Sequence, residues 1–265
     1  MMRRSLLDAP YPIYDTDLMR QLLGRRLMPR LQVLAVIGAH RFQEARLIGR
    51  IFPHLRHIYL FEPLAGPLAA LRALEANDRR IRVFPVAISD RDGTAQFHVT
   101  SNDGESSSLL AFGSHTSLFP EVRVAQSIEV QTRRLDTLIS QEKLEAPDVL
   151  LIDVQGAEYQ VLSGIAPELL AKVRLIYAEV STQRVYESEG LLPDVERLLA
   201  PRFVNLGFAP LRPDVPMHGN AVFVSEEDVD EALAMSIPGS LQQAWRYWRR
   251  QRKQRAAAVR TPGTR

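Results

Sequence analysis

The chain has 265 residues, 46% of them hydrophobic, which suits one α/β domain with extensions, or two small domains. It has no cysteine, which excludes disulfides, thiolate metal sites and cysteine nucleophiles and fits a reducing compartment, so the expected location is cytoplasmic. The net charge of +2 is unevenly spread: seven arginines and one lysine follow Trp245 with no acid among them, so the body before them is acidic on balance.

Arg3 and Arg4 open the chain, but the apolar run behind them stops at Leu7, so neither a signal peptide nor a membrane span is expected. Val33–Ile37 is the first predicted strand, a short apolar run without alternation, as in a sheet covered on both faces. Gly38 follows directly and permits a tight turn toward a helix over Gln43 to Phe52, where backbone N–H groups can face a ligand. A second strand, His57–Phe61, runs into Glu62, placed like the acids that hold ribose hydroxyls in dinucleotide folds. Pro67 to Ala76 has helical spacing, and a further strand lies near Arg82–Ile88. This β-α-β-α-β order indicates a parallel sheet with right-handed crossovers. No second glycine follows Gly38 in range and no Walker A sequence occurs, which disfavours a nicotinamide or NTP enzyme.

Asp92-Gly93 marks a turn, and Thr94–Val99 alternates as a strand should. Ser101 to Ser117 then reads as a long loop, a length usually functional or disordered. Its His115 is either a base or ligand, or a surface residue with no role. Ile128–Thr132 is a strand and Arg134–Ser140 begins a helix.

Val149–Ile152 is another buried strand, and Asp153 ends it. A carboxylate there is costly unless hydrogen-bonded, metal-bound or used in chemistry, although it could also cap the helix starting at Gly156. Glu158 lies in that helix's first turn, where the helix dipole alone accounts for an acid. Leu175–Val180 is the last parallel strand and carries Glu179 in the same pattern as Asp153. Pro193–Leu199 reads as helical, and Phe203–Phe208 with Ala221–Val224 as a closing antiparallel pair. In Leu241 to Arg255, Trp245 and Trp248 stand among six basic residues. This is either a helix for a membrane surface or another anionic partner such as nucleic acid, or a solvated extension.

With these residues in place, the chain resembles the FkbM family of S-adenosylmethionine-dependent methyltransferases over Leu31 to Ser225. The resemblance rests first on Ile152-Asp153-Val-Gln-Gly156-Ala-Glu158 with Val161-Leu162-Ser-Gly164 behind it. Phe61-Glu62-Pro63, Val86 to Asp90, Ser106 to Ser108, Leu135 to Leu138 and Gly219 to Val224 add to it. It implies a class I methyltransferase (Rossmann-like) α/β fold, with a mostly parallel seven-stranded sheet between two helical layers. It also implies S-adenosylmethionine over Gly38, Ala39 and His40, with Glu62 on its ribose, Ala87 and Ile88 near its adenine, and Asp153 bordering it. The implied reaction is O-methylation of a hydroxyl on a glycan or small-molecule natural product. Asp153 would be the base or hold a substrate-orienting divalent metal, supported by Glu158 and Glu179; the sequence itself gives no metal site.

Residues 1–30 are then an N-terminal extension, 31–225 the methyltransferase domain and 226–265 a helical basic tail. The family's first motif, D-x-G-A-N-x-G, is altered: Val36 replaces the acid, His40 the asparagine and Phe42 the second glycine. Phe42 is expected to crowd the cofactor's amino-acid portion unless it rotates into the core. The alternative expectation is therefore a catalytically impaired relative that binds a ligand or partner.

Overall fold

The computed structural model describes residues 27–212 and 214–229. Most of the N-terminal extension, and the basic tail beyond residue 229 with Trp245 and Trp248, lie outside the described residues. In chain order the strands are β1 (Val33–Ile37), β2 (His57–Phe61), β3 (Ile81–Phe84), β4 (Ala87–Ile88), β5 (Gly93–Thr100), β6 (Val124–Arg133), β7 (Val149–Ile152), β8 (Leu175–Ser181), β9 (Phe203–Arg212) and β10 (Val215–Ser225). The helices are α1 (Ala45–Ile51), α2 (Ala65–Asn77), α3 (His115–Leu118), α4 (Leu135–Gln141), α5 (Glu158–Ser163), α6 (Pro167–Leu170) and α7 (Leu192–Leu199).

The main sheet has seven strands in the order β3-β2-β1-β7-β8-β10-β9. Strands β1, β2, β3, β7 and β8 pair in parallel, and β10 runs antiparallel to both β8 and β9. This is the expected class I methyltransferase architecture. The four core strands are apolar runs because both faces are covered. Leu34, Val36 and Leu60 join one cluster with Ile48 and Ile51 of α1 and Leu71 of α2. Their alternates Ala35, Ile37 and Phe61 join another with residues of α4, α5 and α7. Period-two alternation thus builds two cores from one set of strands.

The single strand expected near Arg82–Ile88 is in fact two. Pro85 separates them and brings no N–H to a ladder. β3 stays in the main sheet, while β4 leaves it for a second sheet of order β4-β6-β5. Both strands predicted in the middle of the chain belong to that second sheet, where β5 and β6 pair antiparallel. It stands beside the carboxyl end of the main sheet and brings the Ser-rich loop over it. The helix expected from Gln43 starts only at Ala45, and α6 went unpredicted because its four residues are too short for a period.

The last described residues are tied down by one buried acid. The Asp228 carboxylate accepts from Arg174 at 2.9 Å, from Arg30 at 2.7 Å and from the Ser225 hydroxyl at 2.5 Å. Its side chain is 2% exposed, so removing it strands the partly buried Arg174 without its anion. Asp228→Ala should therefore cost about 2 kcal/mol in urea unfolding, the range for hydrogen bonds to charged groups, with the site below unchanged.

Candidate functional site

Strand order reverses between β1 and β7, and in an open α/β sheet ligands bind outside the carboxyl ends at such a point. A cavity of about 930 Å³ lies there. Gly38 after β1, Glu62 after β2, Asp153 after β7 and Glu179 on β8 all line it, with His218 and Asn220 from β10. The structure thus brings together most of the residues singled out from sequence.

At the β1–β2 side the backbone is tightly folded. Gly38 has φ +82°, and a Cβ there would lie 1.7 Å from the Asp153 carbonyl oxygen. Glycine is therefore demanded by the protein's own β7 turn. The N–H groups of Gly38 and Ala39 donate to the Phe61 carbonyl at 3.1 and 3.0 Å, and that of His40 to Glu62 Oε2 at 2.8 Å. These three N–H groups hold the loop to β2 and its following Glu62.

Glu62 is buried, and its Oε1 accepts the Leu64 N–H at 2.8 Å. Burial raises its pKa, and the two backbone donors oppose that rise. Each carboxylate oxygen has a further lone pair, so Glu62 can still accept ribose hydroxyls. Ala87 and Ile88 line the cavity with Phe97, an apolar wall suited to a flat base.

Phe42 resolves the altered motif. Its φ is +46°, so it keeps the left-handed backbone that a glycine would adopt at that place. Its ring is 4% exposed and belongs to the apolar cluster of Val36, Ala39 and Ile48. Left-handed geometry costs a bulky residue about 1–2 kcal/mol, and burying a phenyl group returns a similar amount. His40 also has positive φ, and its Nε2 lies 3.1 Å from the Asp103 carbonyl oxygen. Arg41 pairs with the Asp103 carboxylate at 2.6 Å. These contacts pin the Ser-rich loop, whose Asn102, Gly104 and Ser107 form a wall of the cavity.

At the β7–β8 side the carboxylates gather. Asp153 lines the cavity and is exposed there. The low-dielectric surroundings and then the Glu179 charge raise its pKa well above the usual carboxylate range, while the Gln155 amide and the His218 cation pull against that rise. Gln155, at φ +56°, turns its amide back so that Nε2 donates to Asp153 Oδ1 at 2.7 Å and to Glu179 Oε2 at 2.6 Å. The Tyr186 hydroxyl in turn donates to Gln155 Oε1 at 2.7 Å. Gly156, at φ +96°, lies against the Tyr186 ring, where a Cβ would come within 2.7 Å of it. On β10, His218 places Nε2 3.3 Å from Glu179 Oε2 and Nδ1 2.9 Å from Ser181 Oγ. Burial alone would lower the imidazole's pKa, but Glu179 outweighs it, with help from Glu158 and Glu189, and lifts it to about 9.

Three expectations change here. Asp153 does not cap α5, whose N-terminus carries no side-chain cap; Glu158 instead braces the turn ahead of the helix, its Oε1 accepting the Val154 N–H at 2.9 Å and the Gly156 N–H at 3.3 Å. Glu158 is buried and stands outside the cavity lining, so its place is behind the turn, holding it. His115 is no surface residue: it is 2% exposed, stacked on Phe112 at 3.9 Å, with burial and then His218 pulling its pKa down to about 4.

Oxygens of Asp153, Glu158 and Glu179 come within 4.8 Å of one another. Glu158 Oε1 accepts from backbone donors, while Glu179 already faces Gln155 and the His218 cation. His218 supplies positive charge beside Glu179, and we assign no metal. Sequence reasoning missed Gln155, Ser181, Tyr186 and His218. Gln155 stood inside the Asp153–Glu158 motif without a role, and His218 immediately precedes Gly219-Asn220, ahead of the apolar run Ala221–Val224.

Comparison with known proteins gives a family and several relatives. Residues 37–209 match the family described as the methyltransferase FkbM domain. The chain is 40% identical over 169 residues to the 2-O-methyltransferase NoeI of Sinorhizobium fredii, a match covering 61% of this chain and 67% of that protein. It is 29% identical over 174 residues to the 31-O-demethyl-FK506 methyltransferase FkbM of Streptomyces tacrolimicus, covering 56% and 65% respectively. Among solved structures, a methyltransferase FkbM from Methylobacillus flagellatus KT superposes with a TM-score of 0.48 at 14% identity, over 74% of this chain and 44% of that one.

Proposed function

This chain belongs to the FkbM family of S-adenosylmethionine-dependent methyltransferases, and we propose that it methylates a hydroxyl oxygen of a glycan or small-molecule natural product. The observation that carries the reading is Asp153, a cavity-lining carboxylate of raised pKa at the switch point of the sheet, in one chamber with Gly38 and Glu62. The 2-O-methyltransferase NoeI, at 40% identity, supports an oxygen acceptor.

The cavity fits the cofactor by its donor set. Glu62 offers carboxylate lone pairs to a ribose, Ala87 and Ile88 offer an apolar wall, and Phe42 borders the cavity while packing its ring into the apolar cluster of Val36, Ala39 and Ile48. The bound sulfonium supplies an electrophilic methyl group. The chain's own part is to hold the acceptor oxygen in line and to take its proton. Asp153 accepts that proton as the oxygen gains the methyl carbon. Its raised pKa places it closer to neutral pH than an ordinary aspartate, which favours a general base.

The test is incubation with methyl-tritiated adenosylmethionine and a panel of neutral methyl glycosides. The expected product is a labelled methyl ether, located on a ring hydroxyl by mass spectrometry. Label recovered on nitrogen or sulfur, or on no acceptor while the cofactor binds, counts against O-methyl transfer to sugars.

A further inference from the structure

We infer that His218 is the positioning residue that lets Asp153 serve as a base: held by Ser181 and seated against Glu179, it neutralises the second carboxylate of the chamber. The inference rests on the O-methyl transfer reading above, and on a connected set of contacts.

Ser181 Oγ lies 2.9 Å from His218 Nδ1, and His218 Nε2 lies 3.3 Å from Glu179 Oε2. The Gln155 amide then joins Glu179 to Asp153 at 2.6 and 2.7 Å. Ser181, His218 and Glu179 are all buried, so bulk water and salt do not screen the pair. Two neighbouring carboxylates resist simultaneous ionisation, because each charge favours the protonated form of the other. The Gln155 amide offers both only a dipole. His218 offers a full positive charge, and it is the cation that acts on Asp153.

The other titratable groups facing His218 are Glu158 on α5, Glu189 ahead of α7 and His115 on α3. The two glutamates favour the imidazolium, and His115 is neutral above pH of about 4, so no second cation competes for Glu179. With His218 charged, Asp153 ionises beside a compensated neighbour. Without it, Asp153 ionises beside an uncompensated carboxylate and gives up its proton only at higher pH.

The sign of the effect follows. His218→Gln should move the ionisation of Asp153 upward by about one pH unit or more, a tenfold loss of the basic form at a fixed lower pH. The acid limb of kcat/KM should move with it, and activity should recover as pH rises. A merely structural role would lower activity at every pH and leave the limb in place. Stability gives a second reading. A His218 pKa of about 9, above the ordinary value of 6.5, contributes stability that is complete below pH 6.5 and disappears as pH rises through 9.

The experiment is a carboxyl carbon NMR titration of Asp153 in the full chain, wild type and His218→Gln, without acceptor. An upward-shifted midpoint in the variant is expected; an unmoved midpoint overturns the inference. Should the variant not fold, the wild-type His218 imidazole titration decides instead. A midpoint above 8 agrees, and one at or below the ordinary 6.5 overturns it. Neither measurement needs methyl transfer. Failure of the broader reading is seen separately, as absence of S-adenosylhomocysteine binding in the wild type.

Discussion

Asp153→Asn should lower kcat for methyl transfer by about 10²–10⁴-fold, the usual contribution of a positioned general base, while leaving cofactor binding nearly unchanged. Asparagine keeps the shape and can still accept from the Gln155 amide, so the chamber should not collapse. What it cannot do is take a proton. The part of Asp153 that shapes the cofactor loop is its main chain: its N–H donates to Ile37 and its carbonyl lies under Gly38, and neither is altered by the substitution. Single-turnover measurement with labelled adenosylmethionine, beside calorimetric binding of S-adenosylhomocysteine, separates the two effects. Equal losses in binding and turnover would instead place Asp153 in cofactor recognition.

Gly38→Ala should be the most damaging single-atom addition in the site. The new Cβ would meet the Asp153 carbonyl at 1.7 Å, at a φ of +82° that L side chains rarely adopt. Backbone cannot swing away as a flexible side chain would, so β1 and β7 must separate locally. Left-handed strain of about 1–2 kcal/mol and overpacking of about 1–3 kcal/mol add to roughly 4 kcal/mol. For a domain of this size that is a fall of about 8–16 °C in Tm. Gly66→Ala on α2, where an added Cβ meets nothing within 4 Å, is the control and should be neutral or slightly stabilising. Thermal unfolding followed by circular dichroism checks both.

Much of this was legible in the chain itself, for physical reasons. Buried parallel strands are continuous apolar runs, so Val33–Ile37, His57–Phe61 and Val149–Ile152 could be read to the residue. An acid at the end of such a run is conspicuous, which is why Asp153, Glu62 and Glu179 were found and all line the cavity. The rest depends on contacts between distant segments. Whether Phe42 blocks the loop turns on one backbone angle and on where its ring packs. Glu158 could be placed in a first helical turn, but not turned toward the backbone of Val154 and Gly156. His115 reads as a loop residue because nothing local reveals that Phe112, Phe119 and Tyr186 enclose it. His218 meets Glu179 only because β10 inserts antiparallel beside β8, which puts His218 opposite Ser181.

The account turns on whether a loop carrying Val36, His40 and Phe42 in place of the family's residues still makes a cofactor site. Isothermal titration of the full chain with S-adenosylhomocysteine measures that directly. With the Phe42 ring packed against Val36, Ala39 and Ile48 at the cavity wall, saturable one-to-one binding is predicted, with Kd of roughly 1–100 μM, or about −8 to −5.5 kcal/mol. No heat of binding at millimolar ligand would contradict it and leave Asp153 with no methyl group to transfer against.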